Sequence, residues 1–293
     1  VYANHSAYFI NVNSSETPLR ISNASLISDP ASHVVSDFDA FAIHERELVN
    51  LLKGGQRWYG EEFDAQLSQN FSFNFPNLST TEPVIVRSFL GYKFGGGSAN
   101  FSITYNGSTI GSAALGNISD ANSVGRGGFT TPPGQFTPSS SVFTLTANFN
   151  RSLPSDVGYL DFIEVNAKRN LIFGSGQLLF RNRSSIGNGN ITEYQVSNFT
   201  ASGVVWDVTT WTNPQIVQGG LSGGVFSFKT ETDSLKTFIA FDGSSYFTPE
   251  FEKRVEHQNL HSLPSADYLI VTHPAFLSQA NRLAALHQQN GLS

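Results

Sequence analysis

Cysteine is absent from the 293 residues, which removes disulfides, thiolate catalysis and Cys-ligated zinc from this stretch. Disulfide-free chains exist in every compartment, so the absence does not by itself place the chain. Charge is scarce as well: charged residues make up 14%, the formal net charge is -6 and the sequence pI is about 5.6. No basic field exists to attract nucleic acid or an anionic membrane surface, so nucleic acid is not an expected partner. No apolar run approaches the ~20 residues needed to span a bilayer. Val1 is not followed by a basic region and an apolar core of the kind that marks a targeting peptide. With the finish at Ser293, this sets the expectation of an interior segment of a longer polypeptide.

What the chain does have is Ser, Thr, Asn and Gly in quantity, and 25 Phe to fill a core. That composition is common in extracellular β proteins, and it sets the expectation of a secreted or surface-exposed chain. The length suffices for roughly two domains of ordinary size, each with its own core. N-x-S/T triplets recur from Asn4 to Asn198, Asn106 and Asn182 among them. A sequence this rich in Asn, Ser and Thr generates such triplets by chance, and several fall inside expected strands.

Period-two patterning dominates. Phe71, Phe73 and Phe75 alternate with Ser72 and Asn74; Phe101, Ile103 and Tyr105 with Ser102 and Thr104; Phe143, Leu145, Ala147 and Phe149 with Thr144, Thr146 and Asn148. Asn106-Gly107 between two such runs is a strong hairpin signal, because both central residues of a type I′ turn need positive φ. "VIVRSFLGYKF" (84–94) and "YLDFIEVNA" (159–167) add strands, and the Gly- and Pro-heavy stretch 125–140 reads as a loop. The pattern is that of an antiparallel β-sandwich or jelly roll. A second β-rich run from "NLIFGSGQLLFRN" to "KTFIAFD" fits either a second small sandwich or an extension of the first.

Three stretches depart from this pattern. Residues 3–13 read as a short strand with Tyr8 and Ile10 on one face and Phe9 on the other. In 36–53, Phe41, His44, Leu48, Leu51 and Leu52 recur near helical spacing and stop at Gly54-Gly55, which predicts a helix. After Leu263-Pro264, "DYLIVTH" has the continuous apolar character of a strand buried on both faces of a parallel sheet. Pro274 then opens a helix striped with Phe276, Ala280, Leu283, Ala284 and His287, and Asn290-Gly291 stops it. The expected organisation is a strand and helix lead-in over 1–67, a jelly-roll-like sandwich over 68–170, a second β-rich region over 171–262, and the first strand and helix of a truncated α/β domain over 263–293.

Four constellations carry possible chemistry. "GLSGG" (220–224) matches the G-x-S-x-G nucleophile elbow, but a strand follows where the elbow needs a helix, so a Gly-rich hairpin is the better reading. His257 and His261 have the i, i+4 spacing of zinc ligands but lack the intervening Glu of H-E-x-x-H. The glycines at 95–97 and 174–176 lack the Lys and the helix of a phosphate loop and read as β-turns. "GGQRWYGEEFD" (54–64) places Arg57, Trp58, Tyr59, Glu61, Glu62 and Asp64 together. Its bolder reading is a sugar or glycosidase site with an aromatic platform; the plainer one is an aromatic plug on the sandwich with Arg57 paired to a carboxylate. Adjacent carboxylates in one loop do not make the opposed pair that glycoside hydrolysis needs, so the plug is preferred. No catalytic, cofactor-binding or metal-ligating residue is assigned.

Six blocks in series, "GGQRWYGEEFD" (54–64), "LDFIEV" (160–165), "VVWDVT" (204–209), "KTFIAFD" (236–242), "QNLH" (258–261) and "ADYLIVTH" (266–273), resemble the N-terminal part of the cell-surface sortases of the bacterial type IX secretion system, which are gingipain-like cysteine peptidases. The resemblance implies that 265–293 is the first strand and helix of a caspase-like α/β peptidase domain, and that the β-rich part precedes it. It implies a catalytic His and Cys on later strands, beyond Ser293; His273 lies on the first strand-loop and is not that His. For the whole protein it implies cleavage of the C-terminal sorting domain from secreted cargo, transfer to anionic lipopolysaccharide, an outer-membrane anchoring subunit, and a place on the cell surface. A secreted carbohydrate- or ligand-binding β-sandwich, with Trp58, Tyr59 or Trp211 as platform, is the alternative.

Overall fold

The computed structural model describes residues 6–10, 17, 19–93, 97–118, 123–255, 262 and 265–293. In chain order the strands are β1 (Ser22–Asn23), β2 (His33–Val35), β3 (Asp37–Glu45), β4 (Glu62–Phe63), β5 (Ser68–Asn74), β6 (Val84–Lys93), β7 (Ala99–Tyr105), β8 (Ser108–Leu115), β9 (Gly125–Phe136), β10 (Val142–Arg151) and β11 (Val157–Asn170). They continue as β12 (Gln177–Phe180), β13 (Ile191–Val196), β14 (Val204–Asp207), β15 (Gln215–Ile216), β16 (Gly220–Ser222), β17 (Val225–Glu231) and β18 (Phe238–Phe241). Among the described residues there is one α-helix, α1 (Leu277–Gln289). The chain divides into two compact units, Val1–Tyr246 and Phe247–Ser293.

The alternation in sequence becomes two-faced strands. Along β10, Phe143, Leu145, Ala147 and Phe149 are buried while Thr144 and Asn150 are exposed. The sheet β3-β11-β6-β9, with β4 beside β11, faces the sheet β5-β10-β7-β8. That strand order, with the chain crossing between the two sheets at each step from β4 to β11 except the β7–β8 hairpin, is the eight-stranded jelly-roll winding. Rings interlock between the sheets, Tyr105 with Phe136 at 4.1 Å and Phe101 with Phe129 at 6.4 Å between centroids. Such pairs add about 0.5–1.5 kcal/mol each beyond the area they bury.

Two expectations fail within the jelly roll. Residues 37–45 form strand β3, paired along its length with β11, and not a helix. The same residues also alternate: Phe38 and Ala40 point inward, while Asp37, Asp39, Phe41, Ile43 and Glu45 lie on the outer face. The apolar Phe41 and Ile43 on that outer face blurred the period of two. The jelly roll therefore starts in the stretch read as a lead-in. The expected loop at 125–140 is largely strand β9, paired with β6. Its glycines are packing requirements: a Cβ at Gly125 would sit 2.3 Å from the Tyr92 ring, and one at Gly128 would sit 2.2 Å from the Ser88 carbonyl oxygen. Pro132 and Pro133 fall where the β6–β9 register shifts, on an edge strand, where a missing N–H breaks no ladder.

The second β-rich run builds its own pair of sheets, β1-β15-β14-β18-β12 against β16-β17-β13-β2. Phe238 packs across the gap on Tyr194 and Phe228, each at 5.1 Å. The Tyr194 hydroxyl is buried but satisfied by Ser185 at 3.3 Å. β1 and β2 add in parallel to β15 and β13, each closing one edge of a sheet, before the chain enters the jelly roll as β3. The buried side chains of both sandwiches form one continuous cluster. Of the expected strand at 3–13, residues 6–10 have no regular structure, and Tyr8, Phe9 and Ile10 are exposed; the remainder lies outside the described residues.

In the second unit, the expected helix is present. A 3-10 turn at Pro274–Phe276, capped by His273 Nδ1 accepting from the Ala275 N–H at 3.2 Å, leads into α1. Gly291, with φ +83°, follows the helix end. The expected strand before it has no regular structure and no ladder partner among the described residues, and Leu269 and Val271 are exposed. A strand needs a neighbouring ladder, and none is present there. Asp267 instead accepts from the backbone N–H and hydroxyl of Ser293, at 3.0 and 2.8 Å, which draws its carboxyl below the usual range.

Candidate functional site

The stretch 54–64 is the most chemically loaded part of the chain, and the jelly roll fixes each of its side chains. Tyr59 N–H donates to Val49 O, Gly60 N–H to Leu160 O, and β4 pairs with Gly158 and Tyr159 of β11. These bonds lay the segment along the end of the β3-β11-β6-β9 sheet. Phe63 is fully buried and Tyr59 nearly so. Burial pushes the Tyr59 phenol up, and the hydrogen bond from Arg57 opposes that shift. Gly60 is tight against Arg46, where a Cβ would lie 3.2 Å from the carbonyl oxygen.

Every carboxylate in the stretch has a partner on another segment. Glu61 Oε1 lies 3.0 Å from His44 Nε2 and 3.4 Å from Arg46 Nη1. Glu62 accepts from the Tyr159 hydroxyl at 3.1 Å, and Asp64 from Arg151 at 2.8 Å. The Tyr159 hydroxyl is pushed up to about 12 by burial and then by Glu62. Each carboxylate is thus tied to a different partner, an arrangement that fits a plug better than an acid-base pair. Arg57 differs from the expectation, since it bonds the Tyr59 hydroxyl and not a carboxylate. Of the three aromatic platform candidates, Tyr59 is buried, Trp58 is partly open at 42%, and Trp211 stands free at 84% in the turn after β14.

A second polar group was not visible in sequence. Asp161 sits where the β11–β6 register shifts and is nearly buried, and Arg126 of β9 meets its Oδ2 through Nη2 at 2.7 Å and Nε at 2.8 Å. The Arg126 guanidinium lies 4.0 Å above the Phe89 ring, which packs on Phe162. Burial, followed by Asp161 and Glu47, raises the nearby Glu45 carboxyl. Further along the same outer face, Arg87 pairs with Glu164 at 2.9 Å, and Lys168 Nζ lies 3.1 and 3.0 Å from Asp37 and Asp39. Arg126–Asp161 and Arg87–Glu164 neutralise each other, whereas Lys168 is shared by two carboxylates, and all three contacts tie strands of the sheet together.

The remaining motifs resolve simply. Gly220–Ser222 is strand β16, and Gly223-Gly224, with φ +58° and +77°, turns it into β17, so "GLSGG" is a hairpin. His257, His261, Gly95 and Gly96 lie outside the described residues. Gly174–Gly176 is a turn entering β12. Asn182 is 1% exposed and donates to Asp37, which leaves no room for a glycan in the folded chain. Among the described residues no cluster of His, Cys, Asp and Glu is arranged to hold a metal ion.

Neither a family model nor a curated protein matches the sequence. Among solved structures, the fold is similar to dimeric latent PorU from Porphyromonas gingivalis, with a TM-score of 0.78 and 25% identity over 94% of this chain. The chain spans 27% of the length of that PorU chain.

Proposed function

We propose that this chain is the non-catalytic N-terminal region of a type IX secretion sortase. The observation that carries the reading is the similarity to the PorU fold over 94% of the chain, with six sequence blocks that run in the same order. On this reading residues 263–293 open an α/β peptidase domain, in keeping with the uncovered apolar side chains Leu269, Val271, Leu277 and Leu286. The full-length protein cleaves the C-terminal sorting domain from secreted cargo. A Cys thiolate outside this stretch attacks the scissile carbonyl and forms a thioester while the sorting domain leaves as an amine; an amine of anionic lipopolysaccharide, or water, then displaces the thiol. The protein acts at the cell surface, held by an outer-membrane anchoring subunit, and the paired carboxylates of 54–64 serve as scaffold. Deleting the encoding gene in the native host tests this. Cargo that retains its sorting domain and stays unattached is the expected result; normally processed cargo in the deletion strain overturns the reading.

A further inference from the structure

The jelly roll separates its charges by sheet. The outer face of β3-β11-β6-β9 carries Asp37, Asp39, Glu45, Arg87, Glu164 and Lys168. The four strands of the opposite sheet contain one charged residue, Arg151 at the end of β10, and it turns to Asp64 and the Asp156 carbonyl oxygen. The outer face of that sheet is a lattice of hydroxyls and amides. Asn70, Thr146, Thr104 and Thr109 align as one cross-strand row, and Ser68, Asn148 and Ser112 as the next, with Ser102 buried between Asn148 and Ser112. The rows are preorganised by side-chain bonds: Thr146 to Asn70 at 2.8 Å, Ser68 to Asn148 at 2.8 Å and Ser72 with Thr144 at 3.1 Å. Val142, at the start of β10, is the one large apolar side chain on it.

This chemistry selects its ligand. With no cation on the face, nothing offsets the desolvation of a carboxylate or phosphate, and with so little apolar surface a lipid or protein core gains nothing there. Hydroxyls and amides both donate and accept, and they repeat across strands every ~4.8 Å, a spacing comparable with one pyranose residue of an extended glycan. We propose that the outer face of β5-β10-β7-β8 binds a neutral polysaccharide, with the sugar chain laid across the strands on the Asn70–Thr104 and Ser68–Ser112 rows. The proposal stands apart from the sortase reading.

The test is native electrophoresis of the full 293-residue chain through gels containing dextran, mannan or xylan, with polygalacturonate as a charged comparison. Retardation by at least one neutral polymer is expected. The double variant Thr104→Val with Thr146→Val keeps shape and strand propensity while removing two hydroxyls, and it should weaken retardation by about tenfold at unchanged melting temperature. Asn70→Ser, on the edge strand, should weaken it to a smaller extent, and Arg87→Gln on the opposite sheet should leave it intact. Absence of retardation by all three neutral polymers overturns the proposal, as does retardation by polygalacturonate alone or undiminished retardation of the double variant. Loss of retardation in Trp211→Ala with the double variant unaffected moves binding to the aromatic loop and overturns it equally.

Discussion

At the level of single residues, the 54–64 stretch shows what sequence carries and what it leaves out. Its residue types were legible as a possible plug, but the partners that make it one lie far away in the chain: Glu61 meets His44, Glu62 meets Tyr159, and Asp64 meets Arg151. Such pairings depend on register, which local spacing does not encode. If the segment is a plug, its stability role sits in Phe63 and not in Trp58. Phe63→Ala should cost about 3–5 kcal/mol in urea unfolding, and Trp58→Ala less than about 1 kcal/mol; the reverse ranking would make Trp58 the anchor. Tyr159 sets an alkaline limit. Its hydroxyl titrates near 10.0 when unfolded and about 12 when folded, so between those values the folded chain binds the extra proton and stability falls as pH rises. Tyr59, Tyr92 and Tyr194 are shifted the same way by burial. The melting temperature should therefore drop across that window, and Tyr159→Phe should make the drop shallower; an unchanged slope in the variant would remove Tyr159 from the account.

At the level of elements, strands with one apolar and one polar face were readable. β5, β7 and β10 appear where Phe alternates with Ser, Thr and Asn. β3 and β9 were not, for two different reasons. β3 carries apolar side chains on both faces, and β9 is made of the glycines and prolines that elsewhere mark loops. The Asn106-Gly107 turn was read correctly, with φ of +47° and +79°, and it gives a clean test. Gly107→Ala should destabilise the jelly roll by about 1–2 kcal/mol through the positive φ alone, since no atom lies within 4 Å of the added carbon. A neutral substitution would mean the turn relaxes to another type. α1 has no buried residue, so the chain should brighten the dye ANS, and Leu283→Lys with Leu286→Lys should reduce that signal. A dye-silent parent chain would show that these side chains are covered in solution.

At the level of the whole molecule, the jelly roll was foreseeable from patterning, whereas the part played by residues 22–35 was not. Two- and three-residue strands paired in parallel carry no periodic signature, yet β1 and β2 close one edge of each sheet in the second sandwich. Removing residues 1–35 should leave 37–170 as a protease-resistant fragment while 171–246 becomes the first region cut; equal resistance of both would show that the edge strands are dispensable. The same feature governs the order in which the chain acquires its structure. Ser22 aligns with Gln215 and His33 with Thr192, so β1 and β2 are made long before the strands they pair with. Until those strands emerge, residues 22–35 lack the ladders that they join in the folded chain, and pairings between such distant residues are slow to form. All the strands of the jelly roll thus exist before either edge of the second sandwich can close.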